Sequence, residues 1–325
     1  MTPGKKKVLV TRRLPEAVER RVRETYDATL ATQDEGLTAA ELAQAMKDYD
    51  ALCPSILDRI GAEALYAEGR KVGMLANYGA GIEHIDLAAA KAAGVQVSNT
   101  PDVLTEATAE IAVLLMLMLS RRAGEGERQL RAGQWHGWRP THMMGRALSG
   151  LTLGLVGFGR IGQATARMAK AAWDMDIVYY SRRRAASEVE AEFGARYHPS
   201  LEGLLAEADV VSLHTTGGPE TRHLIDAQRL GQMKPGAVLI NTARGPVVDE
   251  AALVAALQAK QIAGAGLDVF EQEPKVHPGL LAMENVVLLP HLGSATVDTR
   301  VAMGMRMLDN LDAYFAGREP GDRVA

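Results

Sequence analysis

The sequence predicts an α/β protein made of two parallel sheets, each covered by helices on both faces. Three observations carry that expectation. Short apolar strand-like runs alternate with helical stretches twice, once over the first hundred residues and again from Leu151. A polar break at Thr100-Pro101-Asp102, followed by a long apolar stretch, separates the two blocks. The length of 325 residues, with 47% hydrophobic and 23% charged side chains, suits two ordinary globular domains.

In the first block, residues 7–11, 51–54, 72–77 and 95–98 read as strands. Residues 15–26 have helical spacing, with Val18 and Val22 four apart. Residues 38–49 read as a helix that Thr38 caps, with Glu41 placed to complete a capping box. A glycine-bearing turn at 79–86 leads into an alanine-rich helix ending near Gly94. Residues 105–122 form a long apolar helix whose longest unbroken apolar run is Ile111 to Leu119, far short of the ~20 residues of a membrane span. Residues 124–150, with Trp135 and Trp138, read as a polar, irregular loop, a functional or interface segment at that length.

The second block reads as a six-stranded doubly wound unit. Its strands fall at 151–156, 177–180, 210–214, 237–241, 263–267 and 286–289, and its helices at 161–172, 200–206 and 250–259. Residues 297–316 are helical again and complete neither sheet, so they are assigned back to the first domain. The expected domains are 1–99 with 295–325, and 100–294, within which 105–150 supplies a long helix and a dimerisation loop.

Composition excludes several functions. The chain carries 36 basic and 40 acidic side chains, a formal net charge of −4, so no basic excess points to nucleic acid or an anionic membrane. The single cysteine, Cys53, makes no internal disulfide. The polar start, Met1 to Lys7, lacks the apolar stretch of a signal peptide, and a cytoplasmic location is expected. The histidines His84, His136, His142, His198, His214, His223 and His277 show no metal-ligand spacing and read as structural or exposed; no metal is expected.

Gly157-Phe158-Gly159-Arg160-Ile161-Gly162 fits G-x-G-x-x-G. The pattern gains meaning from its setting, directly after an apolar strand and at the start of a helix. The first glycine permits a tight turn, the second lets backbone approach a pyrophosphate, and the third lets helix and strand pack closely. The bland alternative is a tight turn and nothing more. Dinucleotide sites for NAD place an acid at the end of the next strand. Here Ser181 stands there, followed by Arg182, Arg183 and Arg184, with no carboxylate. A hydroxyl and guanidiniums suit a 2′-phosphate, so NADP(H) is the expected cofactor, with NAD(H) as the alternative.

Three strand ends then deliver an arginine, a carboxylate and a histidine: Arg244 within Asn241-Thr242-Ala243-Arg244-Gly245, Glu273 before Pro274, and His291 after Pro290. Open α/β sheets bind ligands at that end. Beside a dinucleotide turn, such a set suits clamping a carboxylate and passing a proton while the nucleotide exchanges a hydride. Arg244 has the planar fork for the carboxylate. A histidine is the natural acid near neutral pH, and Glu273 can orient the ring of His291. Taken singly, each also reads as a surface or structural residue.

The strings NTARGPVVDE, GLDVFEQEP and LPHLGSAT, in that order after VGFGRIG, resemble the D-2-hydroxyacid dehydrogenase family over nearly the whole chain. LVGFGRIGQATA, YYSRRR and PHLGSAT make it most similar to the glyoxylate/hydroxypyruvate reductases. The resemblance implies a Rossmann-type domain with a discontinuous flavodoxin-like substrate domain, chemistry in the cleft between them, and a homodimer. It implies the same roles for Arg244, Glu273 and His291, with a small 2-oxo or 2-hydroxy acid as substrate. The N–H groups of Ala80 and Gly81 would hold the substrate carboxylate. Thr108, Asp268, Gly293 and Ser294 would face the nicotinamide, and Thr216, Thr242 and Ala243 would lie along the cofactor.

The segment His214-Thr215-Thr216-Gly217-Gly218-Pro219 departs from the family's usual proline-bearing loop, which puts the contact at Thr216 in question. Trp138 and His142-Met143-Met144 are candidates to reach a partner subunit's substrate, against a loop-anchoring role for the tryptophan. The alternatives left open are a 2-hydroxyacid dehydrogenase of broader range and a nucleotide-regulated interaction protein like the C-terminal-binding-protein corepressors.

Overall fold

A computed structural model describes residues 4–32 and 34–325. Met1 to Pro3, the start of the polar N-terminal stretch, lie outside the described residues. Two compact units result: Met1–Leu104 with Ser294–Ala325, and Thr105–Gly293. The divisions fall a few residues from the expected 99/100 and 294/295. The Thr100 N–H donates to the Gly79 carbonyl at 3.0 Å, and the Asn99 N–H to the Asp322 carbonyl at 3.2 Å. Those bonds keep the stretch before Thr105 with the first unit.

The first unit runs β1 (Lys7–Val10), α1 (Glu16–Thr25), β2 (Asp27–Leu30), α2 (Ala39–Asp48), β3 (Ala51–Cys53), α3 (Ala62–Leu65), β4 (Met74–Ala76), α4 (Leu87–Ala92) and β5 (Gln96–Ser98). The strands are parallel in the order β2-β1-β3-β4-β5, the flavodoxin arrangement. β2 was not expected from sequence, because an edge strand of alternating exposed and half-buried residues has no apolar run to announce it. The α2 capping box forms as read: Thr38 accepts from the Glu41 N–H, and Glu41 from the Thr38 N–H at 2.8 Å.

The second unit runs α5 (Thr105–Ser120), α6 (Ala123–Arg131), β6 (Thr152–Val156), α7 (Arg160–Trp173), β7 (Asp176–Tyr180), α8 (Ser187–Phe193), β8 (Ala195–Tyr197), α9 (Leu201–Glu207), β9 (Val210–Leu213), α10 (Ala227–Leu230), β10 (Val238–Asn241), α11 (Glu250–Gln258), β11 (Gly264–Leu267), α12 (Pro278–Leu281) and β12 (Val286–Leu288). The sheet has seven strands rather than six, in the order β12-β11-β10-β9-β6-β7-β8. Counted from β6, this is the Rossmann order with one added strand, and its switch point lies between β6 and β9. The strand missing from the sequence reading is β8, three residues with one exposed arginine.

Residues 124–150 are not irregular throughout, since α6 occupies their first third. It buries no side chain and contains Gly124 and Gly126, so no apolar stripe marks it. Arg122–Glu125 and Arg131–Glu127 ion pairs line it instead. Farther along the segment Trp138 is 82% exposed, which removes the loop-anchoring role considered for it.

A final helix, α13 (Val297–Phe315), starts at Thr296, whose hydroxyl accepts from the Thr299 N–H at 3.1 Å. It returns to the first unit and packs on β4 and α1 through Met307, Leu308 and Leu311. Both sheets are thus covered on two faces, with separate buried clusters on each side. Among the described residues, no helix is long and apolar enough to cross a membrane.

Candidate active site

The glycine turn sits at the switch point. Gly157 has φ +98°, and a Cβ there would lie 2.5 Å from the His214 carbonyl oxygen, so only glycine fits between the ends of β6 and β9. A Cβ on Gly159 would meet no atom within 4 Å: the turn opens onto free space in front of α7. No side chain caps α7, which leaves its first-turn N–H groups for an outside acceptor. Among the described residues, the buried hydroxyls of Thr242 and Thr215 and the His214 Nδ1 have no hydrogen-bond partner. An open turn before an uncapped helix, with unpartnered buried polar atoms just past the ends of β9 and β10, fits a bound dinucleotide. The buried threonine hydroxyl on this loop is that of Thr215, next to the expected Thr216, whose carbonyl takes the Thr221 hydroxyl at 2.8 Å.

Burial pushes His214 down to about 4. The sign follows: the unfolded chain protonates this imidazole below about 6.5 while the folded one keeps it neutral, so stability is lost as pH falls from about 6.5 towards 4. The loss from this residue alone is about 3 kcal/mol. Urea midpoints measured from pH 7 to 4.5 should fall along that slope, and His214→Gln should flatten it. An equal slope in the variant refutes the assignment.

At the end of β7, Ser181 donates to the Arg183 carbonyl. The three arginines part company. Arg184 makes two 2.8 Å bonds to Glu190 and lies over the Tyr197 ring, so it is committed to α8 and does not join the expected anion site. Arg182 meets Glu220 at 3.0 Å with both side chains 80% exposed. The exposed Arg183 guanidinium has no partner among the described residues.

The second group of residues gathers at the ends of β10, β11 and β12. Asn241, buried at the end of β10, braces the next turn: its amide donates to the Arg244 carbonyl at 2.9 Å and its oxygen accepts from the Ala243 N–H at 3.0 Å. The Arg244 Nη1 donates to the Ala243 carbonyl at 2.7 Å. A Cβ on Gly245 would lie 1.8 Å from the carbonyl carbon of Phe270, so this turn touches the backbone of the loop after β11. That loop ends at Glu273, whose Oε1 accepts from the Phe270 N–H at 3.0 Å and whose Oε2 lies 2.8 Å from His291 Nδ1. Burial pushes the Glu273 carboxyl up, but hydrogen bonding and charge from His291, with the Phe270 N–H and Arg244, outweigh it and hold it below the ordinary value. The carboxylate is therefore the form that meets the ring.

His291 sits at φ +56°, a conformation unfavourable for a side chain with a Cβ. Asp268 at the end of β11 holds it there. The Asp268 carbonyl accepts from the His291 N–H at 2.9 Å. Its carboxyl accepts from Leu292 N–H at 2.6 Å and Gly293 N–H at 2.8 Å. Burial nevertheless raises the Asp268 carboxyl above its ordinary value. Thr108 on α5 donates to the Gly293 carbonyl at 3.0 Å. Arg244, Glu273, His291, Asp268, Gly293 and Thr108 thus belong to one connected cluster in the second unit.

Ala80, Gly81 and Ser294 lie in the first unit. There side-chain amides take up three carbonyls of the turn after β4. The Asn77 amide donates to Gly79 and Gly81 at 2.9 and 2.8 Å, and the Asn99 amide to Ala80 at 2.8 Å. The Ala80 and Gly81 N–H groups have no acceptor among the described residues. Asn77 and Asn99 escaped the sequence reading, as did Asn241 and Thr215. A polar residue at the end of a parallel strand is the signal that could have found Asn77 and Asn241. His198 and His223, expected to be structural or exposed, each meet a glutamate, Glu207 at 2.7 Å and Glu271 at 2.8 Å.

The profile of the D-isomer specific 2-hydroxyacid dehydrogenase NAD binding domain matches residues 113–293. A glycerate dehydrogenase of Hyphomicrobium methylovorum is 41% identical over 316 residues, 97% of this chain and 98% of the relative. A glyoxylate reductase of Thermococcus litoralis is 43% identical over 324 residues, covering 98% and 97%. The structure of an NADPH-dependent glyoxylate/hydroxypyruvate reductase from Sinorhizobium meliloti, in complex with NADP and malonate, superposes with a TM-score of 0.86 at 37% identity, over 99% of this chain and 97% of that one. Profile, relatives and paired parallel-sheet units agree: the chain belongs to the D-isomer specific 2-hydroxyacid dehydrogenases and is an oxidoreductase with that family's NAD binding domain.

Proposed function

We propose that the chain reduces small 2-oxo acids, glyoxylate and hydroxypyruvate foremost, to D-2-hydroxy acids, with NADPH preferred over NADH. The observation that carries the reading is the 2.8 Å contact of His291 Nδ1 with a carboxylate, beside the Arg244 turn. When bound, the reduced nicotinamide supplies the hydride to the 2-carbon. Arg244 holds the substrate carboxylate and the neighbouring oxygen through its fork. The Ala80 and Gly81 N–H groups are the other carboxylate donors in this reading. His291 Nδ1–H is spent on Glu273, so Nε2 is the atom that gives its proton to the developing alkoxide. Glu273 fixes the ring and stabilises its charged form. Thr108, Asp268, Gly293 and Ser294 serve the nicotinamide end, and Thr216, Thr242 and Ala243 the rest of the cofactor. Exposed Leu130, Trp135, Trp138 and Met144 on one stretch of the second unit support a homodimer.

The cofactor preference rests on Ser181, Arg182 and Arg183 in place of an acid. The exposed Arg182–Glu220 pair is worth ~1 kcal/mol or less, so a phosphate dianion displaces it at little cost. Arg183→Ala should raise the KM for NADPH roughly tenfold or more, the worth of a charge-assisted bond. The KM for NADH should stay within about twofold. Nicotinamide oxidation at 340 nm, with both cofactors and a panel of 2-oxo acids, tests both halves. A clear NADH preference in the unaltered enzyme refutes the cofactor assignment. Absence of turnover with every small 2-oxo acid refutes the reaction.

A further inference from the structure

The loop that carries Glu273 is held by a second carboxylate–imidazole pair two residues away. Glu271 Oε1 accepts from His223 Nε2 at 2.8 Å and from Arg222 Nη2 at 3.1 Å. His223 Nδ1 lies 3.8 Å from Asp249 Oδ2, so the ring stands between two acids. The Glu271 N–H donates to Oε1 of the buried Glu250 at 2.6 Å, in the first turn of α11. Burial pushes the Glu271 carboxyl up, but the His223 bond and charge, with the other partners, hold it below the ordinary value.

Three contacts close a ring. The His223 N–H donates to the Pro246 carbonyl at 2.7 Å, two residues past Arg244. Gly245 presses on the Phe270 backbone, where no Cβ could stand. Glu271 then returns to the His223 side chain. The ring joins the turn after Arg244 to the loop before Glu273 and fixes the distance between them. His223 occupies φ +49°, a left-handed conformation uncommon for a residue other than glycine, and the ring holds it there.

We infer that Glu271 and His223 are positioning residues: they lock the Glu273 loop against the Arg244 turn, so that the carboxylate stays in line with His291 Nδ1. This rests on the reading of His291 and Glu273 as the proton-donating pair. Misplacement of a catalytic group by about an ångström is enough to slow a reaction by an order of magnitude or more. Neither residue reaches substrate or cofactor in this assignment, so nucleotide affinity is not part of its role.

The test is a double-mutant cycle on the full enzyme, read as kcat with glyoxylate or hydroxypyruvate and as nicotinamide Kd by fluorescence titration. Glu271→Ala should lower kcat roughly tenfold and leave the Kd within about twofold. Glu271→Gln, which keeps an acceptor for His223, should recover most of the loss. In a Glu273→Gln background, where the pair at His291 is already impaired, adding Glu271→Ala should cost less than about twofold. Should Glu271→Ala fail to fold, His223→Gln takes its place in the same cycle. Equal losses in both backgrounds overturn the inference, because they mean Glu271 does not act through Glu273. A loss with Glu273→Gln but none with Glu271→Ala overturns it while leaving the proton-donor reading intact. No loss with Glu273→Gln removes both.

Discussion

Replacing His291 with alanine should lower kcat for 2-oxo acid reduction by roughly 10²- to 10⁴-fold, the usual contribution of a positioned general acid. The chain invests heavily in this one side chain. Asp268 binds three successive backbone N–H groups, from His291 to Gly293, and holds His291 in a left-handed conformation. Glu273 takes Nδ1 of the ring, so in the proposed reading Nε2 faces the substrate oxygen. The backbone bonds survive the substitution, so nicotinamide Kd should change by less than about twofold while kcat collapses. Single-turnover kinetics separate the two. A rate within tenfold of the parent would mean that the proton comes from elsewhere.

Arg244→Ala should lower kcat/KM for the 2-oxo acid by ~10³-fold or more, since in the proposed reading it removes both the anchor of the carboxylate and a charge beside the reacting carbonyl. Arg244→Lys should recover only part, because an ammonium cannot span two oxygens as the planar fork does. Asn241 and Gly245 set the turn through backbone contacts that do not involve the guanidinium. The fold and nicotinamide affinity should therefore stay. Loss of nicotinamide affinity without loss of substrate discrimination would show that the arginine serves the cofactor instead.

The alternation of strand and helix was legible because parallel strands buried on both faces are short apolar runs, and a helix cap such as Thr38 with Glu41 is a local signal. β2 and β8 were not legible because they lie at sheet edges, where burial no longer selects apolar residues. α6 stayed hidden for a similar reason: with nothing buried, its sequence carries only charge pairs at helical spacing. Arg244, Glu273 and His291 stood out because each follows a strand end, and the topology of a parallel sheet brings strand ends together. Which of the three arginines after Ser181 are paired was not legible, since that depends on Glu190 and Glu220, brought close only by folding. Nor was the Glu271–His223 pair, whose members lie 48 positions apart.

The turn at Asn77–Gly81 divides labour in a way that bears on how specificity changes over time. Its Ala80 and Gly81 N–H groups, which have no acceptor among the described residues, are main-chain amides, while Asn77 and Asn99 take up the Gly79, Gly81 and Ala80 carbonyls. An amide has no proton to lose across the physiological range, and substitution of Ala80 leaves its N–H in place. In the proposed reading, where these amides hold the carboxylate common to all 2-oxo acids, that anchor is shielded from most single substitutions. The Tyr78 side chain beside it has no such protection, so in the same reading the choice among acids that share a head and differ in their tails can change while the anchor stays.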